Sequence, residues 1–403
     1  MVIPSLLPSR APTRVAPRAA SGEVTDRYQG SLPLEAIPPA LDPFLSKQDF
    51  ARQRVVGDRI WMSDTAGNVF LLGLDGQVLK SVNRDPRGGF VAHDFHPLAD
   101  GGVAFYEATV ADDEVGTMGD ALTVLNPDLS QRWSFPVFGG DCTCEPAVLA
   151  DQVVAVHSDM EKRERWIRSF DAAAGHVRWS HACPEDPRGL VATGDGRVVL
   201  VTRDGAVHCW KPDGEPAWGM PPQGSVSRIS ALPDGTVVLH LEGRGLLGVD
   251  PQGQPAWTVA PRPGEELDVA VTADREGTLY VPVRGANLLR ALRPETGEIG
   301  WELPLPIIQD DIEPGRIRQG ADGQLRLPVG HELWIVAPDG ATASRAETDT
   351  QYGFFPDVYA TPDGLTVAHS YGPLHLIREA TREPVRDLCA ALAAEAVDLE
   401  PDV

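Results

Sequence analysis

Three features of the sequence predict an all-β protein, a single β-propeller of about eight four-stranded blades with seven as the alternative count. A tryptophan recurs at nearly constant spacing, Asp-Gly turns punctuate apolar strands, and the composition combines 40 Gly and 36 Pro with 42% hydrophobic residues. That Gly and Pro content calls for many tight turns rather than long helices. A chain of 403 residues would by length alone suggest two or three domains, but a repeat running through most of it overrides that prior.

Two adjacent copies show the repeat best. Leu190 to Trp218 reads LVATGDGRVVLVTRDGAVHCWKPDGEPAW and Ile229 to Trp257 reads ISALPDGTVVLHLEGRGLLGVDPQGQPAW, and the two align without a gap. The pattern returns in Val269 to Trp301 and, more loosely, in Val148 to Trp179. The closing tryptophans Trp133, Trp179, Trp218, Trp257 and Trp301 are separated by 46, 39, 39 and 44 residues, the period of a four-stranded propeller blade. Degenerate copies extend the array: Val55 to Val82 and Val91 to Trp133 before it, Ile317 to Arg345 and Val358 to Leu388 after it. The units together span residues 50–388.

Each element has a physical reason. Runs such as Val198-Val199-Leu200-Val201 and Val237-Val238-Leu239 are apolar on both sides, as strands covered on both faces must be. Asp-Gly pairs suit tight hairpins because Gly tolerates positive φ and Asp bonds its own backbone. The tryptophans are expected to pack between neighbouring blades. The organisation expected is a flexible or extended N-terminal arm over 1–45, the propeller over 46–388 and a short helix or tail over 389–403, where Cys389 to Leu399 has helical proportions of Ala, Leu and Glu.

Gly277 to Trp301, with its Gly-x-Leu-Tyr-Val strand and its Glu-Thr-Gly-Glu-Ile-Gly-Trp closure, resembles the pyrroloquinoline-quinone-like β-propeller repeat. That repeat is shared by quinoprotein dehydrogenases and an outer-membrane assembly lipoprotein that is a non-catalytic scaffold. The resemblance covers about residues 50–388 and implies a propeller. A dehydrogenase of this family would also carry a vicinal Cys-Cys pair and calcium ligands, and here the nearest match is Cys142-Thr143-Cys144. The resemblance therefore points to a member that is not a dehydrogenase.

Charge narrows the partners. With 58 acidic and 35 basic residues the net charge is −23, which repels a phosphate backbone and argues against nucleic acid. No stretch is apolar for the ~18 residues that span a bilayer, and residues 1–45, interrupted by Arg and Pro, do not read as a signal peptide. Five cysteines, an odd number, do not form a disulfide framework. A cytoplasmic location without membrane partners is expected.

Three constellations are candidates for function. Cys142, Cys144, His181 and Cys183 fall just after the last strands of two successive repeats, and such a Cys₃His set could hold zinc; no other cofactor is expected. His93, Asp94 and His96 open the second repeat, where a first strand lines the central channel and could supply acid-base groups. The segment from His93 to Gly101 also resembles a short stretch of bacterial arylsulfotransferases, themselves propellers. Finally, the loops joining successive repeats are acidic: Asp141, Glu145, Glu185, Asp186, Glu265, Glu266, Asp310, Asp311, Glu313, Asp349 and Asp357. With Tyr352, Phe354 and Phe355 they would form a face suited to a protein or peptide partner of basic character. No phosphate-binding loop, dinucleotide fingerprint, nucleophile elbow or H-E-x-x-H motif is present. The expected function is a non-catalytic interaction scaffold, the alternative a propeller enzyme or small-ligand binder using the channel.

Overall fold

In a computed structural model the described residues are 28–32 and most of 52–384. Loop stretches such as 85–89, 110–118, 139–143, 306–316 and 348–357, and both chain ends, lie outside them. The described residues form β-strands and no helix, and none of them belongs to a helix long and apolar enough to cross a membrane. The helix expected over 389–403 falls outside the described residues.

The chain divides into two compact units. One, Leu34–Thr258, holds five antiparallel sheets. In four of them the four strands run in sequence order, as in the fourth sheet (Pro187–Ala192, Val198–Thr202, Val207–Trp210, Pro216–Met220) and the fifth (Val226–Ala231, Val237–Leu241, Gly245–Val249, Pro255–Val259), and the second sheet adds a short fifth strand, His96–Pro97. The other unit, Met1–Pro33 with Val259–Val403, holds three. The sixth sheet runs from Glu266–Leu267 to Ile299–Pro304 and the seventh from Arg318–Gln319 to Thr342–Glu347. The eighth is assembled from both ends of the chain: Val358–Ala360, Thr366–His369 and Leu374–Ile377 are completed by Tyr28–Leu32.

This last sheet corrects the reading of Val358 to Leu388 as a self-contained repeat. Its fourth strand comes from the N-terminal arm, while Glu383–Pro384 pairs instead with the outer strand of the seventh sheet. Seven sheets are thus built mainly from strands consecutive in the chain, and the difference between the counts of eight and seven is the sheet that the two ends share.

Within each unit the sheets pack face on face. Val199, Val201 and Cys209 of the fourth sheet meet Val237, Leu239 and Leu247 of the fifth, and Tyr280 and Leu289 of the sixth meet Leu325, Leu327 and Trp334 of the seventh. Second strands such as Val198–Thr202, Val237–Leu241 and Leu325–Val329 are buried along their whole length, as their mostly apolar sequences require, and Thr202, His240 and Arg326 are buried with them. Each such Val or Leu removed from water contributes about 1.5–3 kcal/mol.

Within the units, four tryptophans each tie a sheet to the one that follows it. The indole N–H of Trp133 donates to the Ala172 carbonyl at 3.0 Å, that of Trp179 to Pro212 at 3.1 Å, that of Trp218 to Pro251 at 3.0 Å and that of Trp301 to Pro338 at 2.9 Å. Every acceptor lies in the turn between the third and fourth strands of the following sheet. The glycine of that turn lies under the same ring: a Cβ on Gly175, Gly214, Gly253 or Gly340 would stand 2.7, 2.5, 2.6 or 2.6 Å from a tryptophan ring atom. The turns are shaped by their own side chains, Asp171 Oδ1 accepting from the N–H groups of Ala173 and Ala174 and Asp250 Oδ1 from those of Gln252 and Gln254. The closing glycine therefore answers two demands at once, a positive φ and a seat for the neighbour's indole.

Gly214→Ala should lower the unfolding free energy by about 3 kcal/mol, because ring overlap adds to the left-handed backbone. Gly243→Ala, at φ +65 with nothing within 4 Å, should cost only about 1 kcal/mol. Urea unfolding of the two variants checks this; equal losses would show that the indole seat is unimportant.

Candidate functional site

The segments that join one sheet to the next share an end with the turns between second and third strands. Around the fourth sheet, the Arg203 N–H donates to the Asp186 carbonyl at 2.9 Å, the Val226 N–H to the Arg203 carbonyl at 2.8 Å and the Gly224 N–H to the Asp204 carbonyl at 2.9 Å. The Arg203–Gly205 turn is thereby clamped between the incoming and outgoing connections. Asp186 itself has φ +54 and pairs through its carboxylate with Arg203 Nε at 3.0 Å.

Several acidic residues of this end are already matched internally. Glu145 pairs with His96, Oε2 to Nε2 at 2.9 Å, joining the third sheet's leading segment to the short strand His96–Pro97 of the second. Glu265 is engaged most fully. Arg290 stands in the third strand of the sixth sheet with its side chain 1% exposed, and its two terminal nitrogens hold the Glu265 carboxylate at 3.0 and 2.7 Å. Its Nε donates to Glu302 at 2.8 Å, and Arg262 pairs with both Glu265 and Glu302. The neighbouring Glu266 is exposed. Asp141, Glu185, Asp310, Asp311, Glu313, Tyr352, Phe354, Phe355, Asp349 and Asp357 lie outside the described residues.

Linear sequence did not distinguish Glu265 from Glu266. The signal was elsewhere, in the single charge inside Leu288-Leu289-Arg290-Ala291-Leu292, since a buried guanidinium demands a carboxylate. Arg326 in Leu325-Arg326-Leu327 follows the same rule and is held bidentately by Asp322 at 2.6 and 2.7 Å. Glu107, in Phe105-Tyr106-Glu107, is held by Arg84 at 3.1 and 2.7 Å.

The cysteine and channel candidates are described only in part. Cys142 and His93 lie outside the described residues. Cys144 is 3% exposed and Cys183 packs against the same apolar cluster. Burial, then the nearby Cys144 thiol, pushes the Cys183 thiol up to about 12, against a smaller opposing pull from Arg165. His181 is occupied differently: its Nε2 meets the Gly214 carbonyl at 2.7 Å and its ring stacks on Trp210. Among the described residues no three metal-capable side chains converge, and Cys183 and Cys209 carry free thiols. Asp94 is buried beside Phe95, whose ring packs against Trp61 and Phe105.

Comparison with known proteins places the chain among propellers. Residues 163–322 match a family model described as outer membrane protein assembly factor BamB. The crystal structure of BamB from Moraxella catarrhalis aligns with a TM-score of 0.53 at 15% identity, covering 83% of this chain and 97% of that one. The computationally designed Ika8 protein aligns at 0.62 with 12% identity over the same shares, and the C-terminal WD40 domain of Sif2 at 0.60 with 8% identity over 83% and 98%. At such identities the likeness establishes the fold alone. Comparison with curated protein sequences finds no match.

Two measurements test the site chemistry. Burial pushes the Glu265 carboxyl up, but hydrogen bonds from Arg290 and the Arg262 backbone, with both guanidinium charges, hold it on balance below its ordinary value of 4.5. A depressed carboxyl stabilises the fold fully above its ordinary range and loses that contribution as pH falls through the folded value. Glu265→Gln should therefore cost about 3 kcal/mol near neutrality, with the gap to the parent narrowing below about pH 4, measured by urea midpoints across pH. For Cys183, a thiol held near 12 is almost wholly protonated at neutral pH and should be alkylated far more slowly than an exposed cysteine. Peptide mapping after timed iodoacetamide treatment would reveal the opposite if Cys183 were an activated nucleophile.

Proposed function

We propose that this chain is a non-catalytic β-propeller scaffold that holds a protein or peptide partner of basic character on the end of its sheets where the connecting segments emerge. The observation that carries the reading is the match of its central repeats to the model of an assembly factor. Of the groups that the sequence offered for chemistry, Cys144 and Cys183 are engaged in packing and His181 in a backbone bond, which supports the same view.

The net charge of −23 supports a basic partner over nucleic acid, and no membrane partner is invoked. Because Glu265 is committed to Arg290, the partner-facing set is Glu266 with Asp310, Asp311 and Glu313, anchored by Tyr352, Phe354 and Phe355. The free thiols of Cys183 and Cys209 support a reducing compartment, the cytoplasm.

The test is cross-linked capture of partners by tagged full-length chain from its own host, identified by mass spectrometry. Combined substitution of Glu266, Asp310, Asp311 and Glu313 by Lys should reduce the recovered partner about tenfold, and parent capture should weaken as salt rises from about 0.05 to 0.5 M. Capture that ignores both changes overturns the reading.

A further inference from the structure

Among the described residues three large apolar side chains are exposed, Leu79 at 50%, Val177 at 46% and Ile299 at 38%. All three stand on the fourth, outer strand of a sheet: Val78–Asn83 of the first, Val177–Ala182 of the third and Ile299–Pro304 of the sixth. An outer strand presents a row of main-chain donors and acceptors onto which another strand can add. Apolar side chains at such an edge supply the lateral contacts that make the addition favourable.

The repeat allows these edges to be compared position by position. The fourth strand opens two residues after the turn glycine, at Val177, Pro216, Pro255, Ile299 and Thr342. Two of these positions carry proline, a residue with which proteins keep incoming strands off an edge, and the outer strand of the second sheet contains Pro136. The seventh sheet has the opposite outcome, since its edge takes Glu383–Pro384 as a fifth strand at Thr342 and Ala343. Strand addition at this position of the repeat is therefore compatible with the geometry of the sheets.

Of the three edges with exposed apolar residues, that of the third sheet is the least guarded. The first carries Lys80, its side chain 51% exposed and meeting Asp128 only at 4.0 Å, and an exposed lysine deters pairing. The sixth ends in Pro304. The third, Val-Arg-Trp-Ser-His-Ala, has neither lysine nor proline, and its one permanent charge, Arg178, is turned onto Asp151 and Asp171 of its own repeat at 2.6 and 2.7 Å. The Cys183 N–H donates to the Arg165 carbonyl at 2.8 Å, so by antiparallel alternation the main-chain groups of Ser180 and Ala182 point away from the sheet. Both of these residues are exposed.

We infer that the outer strand Val177–Ala182 is a self-association edge, pairing antiparallel with the same strand of a second copy of this chain. An antiparallel edge is its own complement under a two-fold axis, so one strand supplies both halves of the interface. The prolines of the neighbouring edges, with Lys80 and Pro304, hold the assembly at two copies. One six-strand-residue edge covers less than the roughly 1,200 Å² of a stable dimer, and two chains of net charge −23 repel each other. The dimer therefore forms at high protein concentration and gains from salt. This edge stands independently of the partner-binding surface proposed above, since it uses none of those residues.

The test is sedimentation velocity of the full-length chain from about 0.01 to 1 mM, at about 0.05 and 0.5 M salt. The expected result is a monomer–dimer equilibrium whose dissociation constant falls about threefold or more at the higher salt. In the dimer the Ser180 and Ala182 amides should exchange with solvent about tenfold more slowly. Val177→Pro, the residue that the fourth and fifth sheets hold at this position, and Val177→Lys, which keeps the N–H but charges the edge, should each weaken the dimer about tenfold or more. Ile299→Pro should leave it unchanged. Because Val177 is exposed, Val177→Lys keeps the fold, and its result decides the matter where Val177→Pro folds poorly. A chain that stays monomeric throughout, growth past the dimer, a dimer unmoved by Val177→Lys, loss of the dimer in Ile299→Pro, or a dimer dispersed by salt overturns the proposal.

Discussion

The contact on which the rest of the architecture depends is the indole of one sheet seated on the closing glycine of the next. Sheets covered on both faces cannot register against each other by hydrophobicity alone, because one apolar surface slides on another at little cost. The indole N–H adds direction. It donates to one partner, the turn carbonyl two positions before the glycine or, in the Asp171 turn, three before it. That fixes the offset between neighbouring sheets as well as their spacing. The same side chain thus sets where the connecting segments emerge, and with them the geometry of any surface those segments build.

Charge is distributed under a second constraint. In strands covered on both faces an ionic group survives only as part of a closed set, and Arg290, Arg326 and Glu107 each sit in one. Such sets are a modest source of stability but a strong source of specificity, since any slip of register strands a charge in an apolar layer. They also remove acidic residues from the surface available to partners, which is why Glu265 and Glu266, adjacent in sequence, have different fates.

The repeat was legible because its signals are local: an apolar run, a turn of fixed chemistry and a tryptophan recur together, so each copy reinforces the reading of its neighbours. The fourth strand of the last sheet was not legible. Tyr28-Gln29-Gly30-Ser31-Leu32 has neither an apolar run nor a turn signal, and its partner lies near the opposite end of the chain. At the candidate site, acidity in the connecting segments could be read directly, but which carboxylates face inward depends on a guanidinium some twenty-five residues away. His181 illustrates the converse. Its spacing to Cys183 suggested a ligand, whereas the fold spends its ring on the same Gly214 turn that seats Trp179.

The sheet shared by the two ends has a consequence for biosynthesis. Tyr28–Leu32 finds Leu374–Ile377 only after the long stretch between them has been translated, a wait of roughly 20 to 70 s at ordinary elongation rates. Throughout that interval a strand with unpaired backbone groups leaves the ribosome ahead of its partner, a condition that invites pairing with other nascent chains. The strand that waits has only two apolar residues among its five, so the segment left unpaired longest offers little apolar surface with which to aggregate.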